Sequence, residues 1–186
     1  MKFFVNQGLF EDVSDVWDQN NLHNELAAAR STMTVDGKQW GVPTTYYQWG
    51  FYYRKDIFAK YGLGEPRSMA DLMNIFETLK KNGVTPIAIG TKYLWTAAGW
   101  FDFLNLRING YDFHMALMDG EVSYEDQRLD RVFDVWGEIA KSGYYIDNHA
   151  SYSWQEGMAP MINGDAAMYL LGNFIIPDLM RAGLEG

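Results

Sequence analysis

The chain has 186 residues, 48% of them hydrophobic and 16% aromatic, which is enough apolar material for a packed core and speaks against disorder. A formal net charge of -9 excludes the clustered Lys/Arg footprint that nucleic acid or an anionic membrane surface demands, and it suits a neutral or cationic ligand. With no cysteine there are no disulfides, thiolate metal sites or cysteine nucleophiles, and no stretch of about 18 apolar residues is present to span a membrane.

The opening Met1-Lys2-Phe3-Phe4-Val5 is too short an apolar run for an export signal, and Asn6-Gln7-Gly8 ends it. Leu22, Leu26 and Ala27 to Ala29 predict a short helix that stops before Ser31. Asp36-Gly37 then separates two β-prone runs, the preferred chemistry of a two-residue hairpin turn whose central residues both need positive φ. Gly50 to Arg54 predicts a strand, and Asp56 to Tyr61 a short helix closing on Gly62. Ser68 and Asp71 resemble a capping box, and Leu72, Ile75, Phe76 and Leu79 follow at helical spacing. Lys80-Lys81 and Gly83 complete that helix.

Thr85 to Gly90 predicts a short buried strand, and Trp95 to Ile108, apolar nearly all round, a helix packed on several sides. The plan of the capped helix recurs with Ser123 and Asp126 at its start and Leu129, Val132, Phe133, Trp136 and Ile139 as its apolar stripe. Trp154 to Asn163 reads as helical, Asp165 to Leu171 as a strand ending at Gly172, and a last helix begins near Pro177, where a missing N–H costs nothing. Strands alternating with helices give an α/β or α+β class. The histidines, His23, His114 and His149, are too far apart to suggest a zinc pair, and neither a metal nor a cofactor is expected.

Aromatic residues fall repeatedly at element ends and in loops. Tyr46, Tyr47 and Trp49 precede a strand, Trp95 and Trp100 follow a strand end, Tyr152 and Trp154 occupy a polar loop, and Asn173-Phe174 follows Gly172. Sugars offer apolar C–H faces to aromatic rings and hydroxyls to polar partners, the mixture that concave sites provide. Tyr46, Tyr47, Trp49, Trp95, Trp100, Trp154, Asn173 and Phe174 are therefore the candidate ligand-binding residues. A core role is the competing reading for each tryptophan taken singly.

Five motifs in one order carry a family resemblance. Asp36-Gly37-Lys38-Gln39-Trp40-Gly41-Val42-Pro43 resembles the hairpin of the family 1 extracellular solute-binding proteins, and Phe51-Tyr52-Tyr53-Arg54-Lys55-Asp56-Ile57-Phe58 its strand-to-helix segment. Tyr61-Gly62-Leu63 with Glu65-Pro66, the strand Pro86-Ile87-Ala88-Ile89-Gly90, and Trp154 with Asn163 to Met168 and Gly172-Asn173-Phe174 are similar to three further family patterns. The resemblance implies an α/β, periplasmic-binding-protein-like class II clamshell, represented mainly by lobe 2 with part of lobe 1. On that basis 1–48 belong to lobe 1 with a hinge, 49–163 form a mostly helical lobe 2, and 164–186 return to lobe 1.

Phe174 stands where the family often has Trp, which keeps a stacking face and loses an indole donor. The first βαβ units and the C-terminal part of such a protein lie outside this sequence, so the chain is expected to be an internal fragment. Its terminal strands would then lack partners, and self-association through their edges is expected. The implied function is extracytoplasmic capture of a sugar and its delivery to the permease subunits of a bacterial ABC importer. Two other classes compete: a glycoside hydrolase with paired carboxylates, for example Asp102 and Glu156, and a protein-interaction module. No Ser-His-Asp order, GxSxG elbow or phosphate-binding glycine loop supports catalysis.

Overall fold

The computed structural model describes residues 1 to 184, and the backbone divides into two compact units, Met1–Tyr47 and the remainder from Gln48. The first unit contains α1 (Lys2–Asn6), α2 (Ser14–Gln19), α3 (Leu22–Glu25) and the hairpin β1 (Thr34–Val35) and β2 (Lys38–Gln39). The helix expected to run through Ala27 to Ala29 stops at Glu25, and separate 3-10 turns occupy Ala27–Ala29 and Ser31–Met33. Four residues with no side-chain cap cannot repay the cost of helix nucleation over a longer run.

The hairpin turn has the predicted chemistry, with φ of 50° at Asp36 and 77° at Gly37. Trp17 is fully buried in this unit, and its indole N–H donates to the Gly41 carbonyl at 2.9 Å. The Asp12 carboxylate accepts from the Ser14 amide and hydroxyl at 3.0 and 2.6 Å and pairs with Lys38 at 2.9 Å. Ser14 Oγ in turn accepts from the Gln39 amide at 3.1 Å, so one carboxylate ties the start of α2 to the hairpin.

The second unit runs β3 (Trp49–Tyr53), α4 (Lys55–Lys60), α5 (Met69–Lys81), β4 (Thr85–Ala88), α6 (Trp95–Asn109), α7 (Tyr111–Met118), α8 (Arg128–Lys141), α9 (Ala159–Asn163), β5 (Ala166–Gly172) and α10 (Ile176–Arg181). Its sheet has the order β3-β5-β4, with β3 antiparallel and β4 parallel to β5. Beyond β4, the chain at Tyr145 bridges Ile87 in parallel. All seven residues of β5 are buried, which explains its unbroken apolar run: a strand paired on both edges and covered on both faces has no solvent side to alternate with.

The expectation that 164–186 leave the body formed by 49–163 is therefore corrected. β5 is the central strand of that body, and it presents no open edge for a second chain, because each edge already has a neighbour.

Ser68 caps α5 as expected, accepting from the Asp71 amide at 3.1 Å, and the predicted stripe Leu72, Ile75, Phe76 and Leu79 is buried. The start of α8 differs. Ser123 Oγ accepts from the Glu125 amide and Asp126 Oδ1 from the Arg128 amide, so both residues form tight turns and the helix begins only at Arg128. Its buried stripe is Leu129, Val132, Val135 and Ile139. Phe133 lies on the flank, 49% exposed and stacked on Phe101 of α6 at 5.5 Å. The helix expected from Trp154 starts later, with a 3-10 turn at Glu156–Met158 leading into α9.

Arg54 shows why its motif is compact. Its guanidinium donates to the Met161 and Ile162 carbonyls at the end of α9, at 2.8 and 2.9 Å, while Asp56 holds the other edge. The Met161 carbonyl also accepts from the C-cap Gly164 amide at 3.2 Å, and the last carbonyls of a helix lack i+4 amides, so the guanidinium closes this helix end against the start of α4.

The Asp12 network yields a pH prediction for the first unit. Bonds from Ser14 and from Lys38 hold the Asp12 carboxyl at about 2, below its ordinary 3.8. A carboxylate depressed on folding stabilises above the unfolded value and loses that contribution as pH falls through the folded one. The melting temperature of Asp12→Ala should therefore lie below that of the parent at pH 6, and the gap should close as pH falls from about 4 toward 2. A gap that stays constant across that range would show that the carboxylate's charge is not what ties α2 to the hairpin.

Candidate functional site

Four aromatic rings from four separate segments of the second unit converge: Trp49 at the start of β3, Trp95 at the start of α6, Trp154 in the loop before α9, and Phe174 just after β5. Trp95 is central. Its ring centroid lies 5.9 Å from Trp49, 6.4 Å from Trp154 and 6.1 Å from Phe174, and Trp154 and Phe174 are 5.3 Å apart. The interplanar angles run from 55° to 89°, so rings meet edge to face or tilted. Such contacts contribute roughly 0.5–1.5 kcal/mol each beyond buried area and fix ring orientation. Trp95 is 37% exposed and the other three are half-buried, which leaves aromatic surface facing solvent.

Glycines make the seats. Trp49 pairs directly with Gly172 across the sheet. A Cβ on Gly172 would collide with the Phe174 ring, and one on Gly99 in α6 would collide with the six-membered ring of Trp49. Both rings thus lie against bare backbone. At Gly90 and Gly157 backbone meets backbone: a Cβ on Gly157 would fall 2.6 Å from the Gly90 nitrogen, and one on Gly90 would strike the Ser153 carbonyl. These contacts press the end of the β4 segment onto the loop that carries Trp154.

Tyr169 of β5 locks that contact. Its hydroxyl accepts from the Gly90 amide and donates to the Trp154 carbonyl, both at 3.1 Å. Burial pushes its ionisation well above the ordinary tyrosine value, with the Gly90 bond opposing, so it serves as a neutral hydrogen-bonding group. The buried Thr96 hydroxyl donates to the Gly90 carbonyl at 2.6 Å and pins the first turn of α6 to the same glycine. Leu94, at φ 63°, turns the chain into that helix. The Lys92 amide donates to the Tyr152 carbonyl at 3.0 Å. Trp95 and Trp154 are therefore both held by the backbone around Gly90.

The predicted residues separate on this geometry. Trp49, Trp95, Trp154 and Phe174 come together. Asn173 is exposed beside Phe174, with its backbone amide donating to Gln48. Tyr46 and Tyr47, 64% and 52% exposed, end the first unit. Trp100 is corrected: it is fully buried, edge-on to Phe51 and Tyr145, and its indole N–H makes no hydrogen bond. Helical spacing turns Trp100 inward from Trp95, so it is a core residue rather than a ligand contact.

The seating and locking roles of Gly90, Gly99, Gly157, Gly172, Thr96 and Tyr169 are not visible in the sequence: Gly90 and Gly172 stand out only as strand ends within family-like motifs, and Gly99 only as a glycine inside a helical pattern. The two carboxylates offered for catalysis, Asp102 and Glu156, sit in different local surroundings. Glu156 accepts from the Ser153 amide at 2.7 Å, and Ser153 Oγ accepts from the Glu156 amide at 3.2 Å, a reciprocal capping box that lowers the Glu156 carboxyl's pKa. Burial raises that of Asp102, with His114 opposing. Among the described residues no cluster of three His, Cys, Asp or Glu side chains could hold a metal ion.

Two substitutions and a control test the glycine seats. Gly99→Ala and Gly172→Ala should each destabilise by roughly 1–3 kcal/mol, the scale of overpacking, and change the near-ultraviolet dichroism of the tryptophans. Gly137→Ala in α8, where a Cβ meets nothing within 4 Å, should be neutral or stabilise by about 0.5–1 kcal/mol. Equal behaviour of all three would show that the rings are not seated on glycine. Tyr169→Phe should cost about 1–3 kcal/mol, because the Gly90 amide and Trp154 carbonyl both lose their partner. Unchanged stability on denaturation would remove Tyr169 from the locking role.

An ABC transporter extracellular-binding protein of Pyrococcus horikoshii is 28% identical over 94% of this chain, which spans 40% of that relative's length. Among solved structures, the bacterial solute receptor AcbH, described as having an exclusive preference for β-D-galactopyranose, is 36% identical with a TM-score of 0.75. The match covers 91% of this chain and 43% of AcbH. A chitin oligosaccharide binding protein is 25% identical with a TM-score of 0.84, over 99% of this chain and 45% of its own. The family described as bacterial extracellular solute-binding protein matches residues 1–184. The chain belongs to the bacterial extracellular solute-binding protein family.

Proposed function

We propose that the cluster of Trp49, Trp95, Trp154 and Phe174 is a ligand-stacking wall with which the protein captures a sugar outside the membrane for delivery to the permease subunits of an ABC importer. One observation carries the reading: four rings from four segments converge, two of them, Trp49 and Phe174, lying directly against glycine backbone, with Trp95 still 37% exposed at their centre. Rings held in place before the ligand arrives lose little side-chain entropy on binding, which favours recognition of weakly hydrophobic C–H faces. Asn173, exposed beside Phe174, offers a carboxamide to ligand hydroxyls.

Two similar proteins support the class of ligand: AcbH is described as preferring β-D-galactopyranose, and another of known structure as a chitin oligosaccharide binding protein. The family is one of solute-binding receptors, and we propose capture and release without turnover. Among the described residues no helix is long and apolar enough to cross a membrane.

Calorimetric titration with galactose, raffinose and a chitin disaccharide tests the assignment. Trp95→Ala and Trp154→Ala should each weaken binding of whichever sugar the parent retains by roughly 1–3 kcal/mol, the scale of losing an aromatic contact in a binding site. Undiminished affinity in both variants would sink the stacking role. The bound sugar should be recovered unchanged after prolonged incubation, and steady hydrolysis abolished by Glu156→Gln would overturn the receptor reading.

A further inference from the structure

A cavity of about 420 Å³ lies in the same unit at the outer edge of the sheet, between the end of β4, the first turns of α6, the end of α8 and the loop through His149. Small-molecule sites commonly measure roughly 300–1,000 Å³, so this one has room for a single sugar ring. None of Trp49, Trp95, Trp154 and Phe174 lines it. Ala97 of α6 does, whereas Gly99, two positions on and thus on the far side of the helix, faces Trp49. The first turns of α6 stand between the two sites.

The lining has two characters. Trp136 and Tyr145 supply half-buried aromatic walls, with Ile89 and Leu94 completing an apolar side. Thr91, Asp147, Asn148 and His149 bring polar groups to the cavity. The Thr91 hydroxyl and His149 Nδ1 are 2.8 Å apart, which orients the imidazole. The exposed Asp147 carboxylate forms no ion pair among the described residues. The backbone here is strained as well: among the described residues Leu94 and Asn148 are two of four non-glycine residues at positive φ, and both line the cavity. Strain of this kind persists where the surroundings enforce it, and it gathers at binding sites.

Charge narrows the ligand class. The unpaired Asp147 carboxylate repels an anion. It can attract a cation as well as accept from hydroxyls, but the carbonyls at the end of α8 add little to a cation's attraction, because the Lys80 ammonium already donates to the Ser142 carbonyl there. What is left is an amphipathic site with one carboxylate acceptor, groups that both donate and accept, and aromatic faces. We propose that this cavity is a second binding site, separate from the aromatic cluster, for a neutral hydroxylated ring such as a monosaccharide.

The test is amide and indole NMR of the whole chain titrated with galactose, with N-acetylglucosamine, and separately with tetramethylammonium. Either sugar should shift the amides of Thr91 and Asp147 to His149 and the Trp136 indole N–H, and should still do so in the Trp95→Ala/Trp154→Ala double variant. That variant removes the first site, so failure of the first site's assignment and failure of this one read out separately. Asp147→Ala and Ala140→Trp, both at exposed positions, should weaken the response at least about tenfold, the scale of losing a hydrogen bond to a charged group or of filling the space. Three results would overturn the proposal. These are no shifts with either sugar, shifts that vanish in the double variant, or a stronger response at the same groups to tetramethylammonium than to the sugars.

Discussion

The backbone-on-backbone approach of Gly90 and Gly157 governs the second unit. Two segments far apart in sequence can come this close only where neither bears a side chain, and polar atoms brought together in that way must be satisfied internally. The Tyr169 hydroxyl provides that satisfaction, bridging the Gly90 amide and the Trp154 carbonyl. Tyr169 can reach both because it projects from β5, the central strand, whose position is set by neighbours on each edge. Thr96 draws on the same glycine through its carbonyl. The positions of Trp95 and Trp154 thus follow from hydrogen bonds in the core and owe little to the loops that carry them.

The aromatic cluster consequently rests on a fixed backbone. Edge-to-face and tilted contacts favour particular ring orientations, and glycine beneath Trp49 and Phe174 removes the side chain that would lift them. In energetic terms each ring contact is small, and the backbone lock below them is the larger quantity, since leaving a buried amide or carbonyl unpaired costs more than a ring contact returns. A receptor that recognises a sugar mainly through C–H faces gains from this order of strengths, because its walls are set before the ligand arrives.

The motifs that carry the family resemblance prove largely structural. Asp36-Gly37 supplies the left-handed turn of the hairpin. Arg54 closes the carbonyl end of α9, and Ala166 to Met168 form the start of the buried central strand. Gly90 ends its motif at the point of closest backbone approach. The rings proposed to meet ligand sit beside these residues: Trp49 opposite Gly172, Phe174 two positions after it, and Trp95 one residue after the strained Leu94. Such motifs identify a scaffold, and its chemistry resides in neighbouring side chains.

Local interactions account for what the sequence alone determined: the Asp36-Gly37 turn, the Ser68 cap and buried stripe of α5, the α6 helix, and the continuous apolar strand β5. Each follows from bonds within a few residues or from periodicity. The sequence also brought Trp49, Trp95, Trp154 and Phe174 forward as candidates, because aromatics at element ends stand out against a helical or strand pattern. Tertiary structure decided the rest. Ser123 became a turn residue and not a helix cap because the competing local bonds in that segment are equally short-range, and the fold chose between them. Trp100 went to the core and Trp95 to the surface, although both lie on one helix with no polar face to orient it. β5 joined the body that precedes it in sequence, since strand pairing is a long-range event that no local pattern encodes. The roles of Gly90, Gly99, Gly157, Gly172 and Tyr169 exist only once distant segments touch, for a missing Cβ has meaning only when something occupies its place.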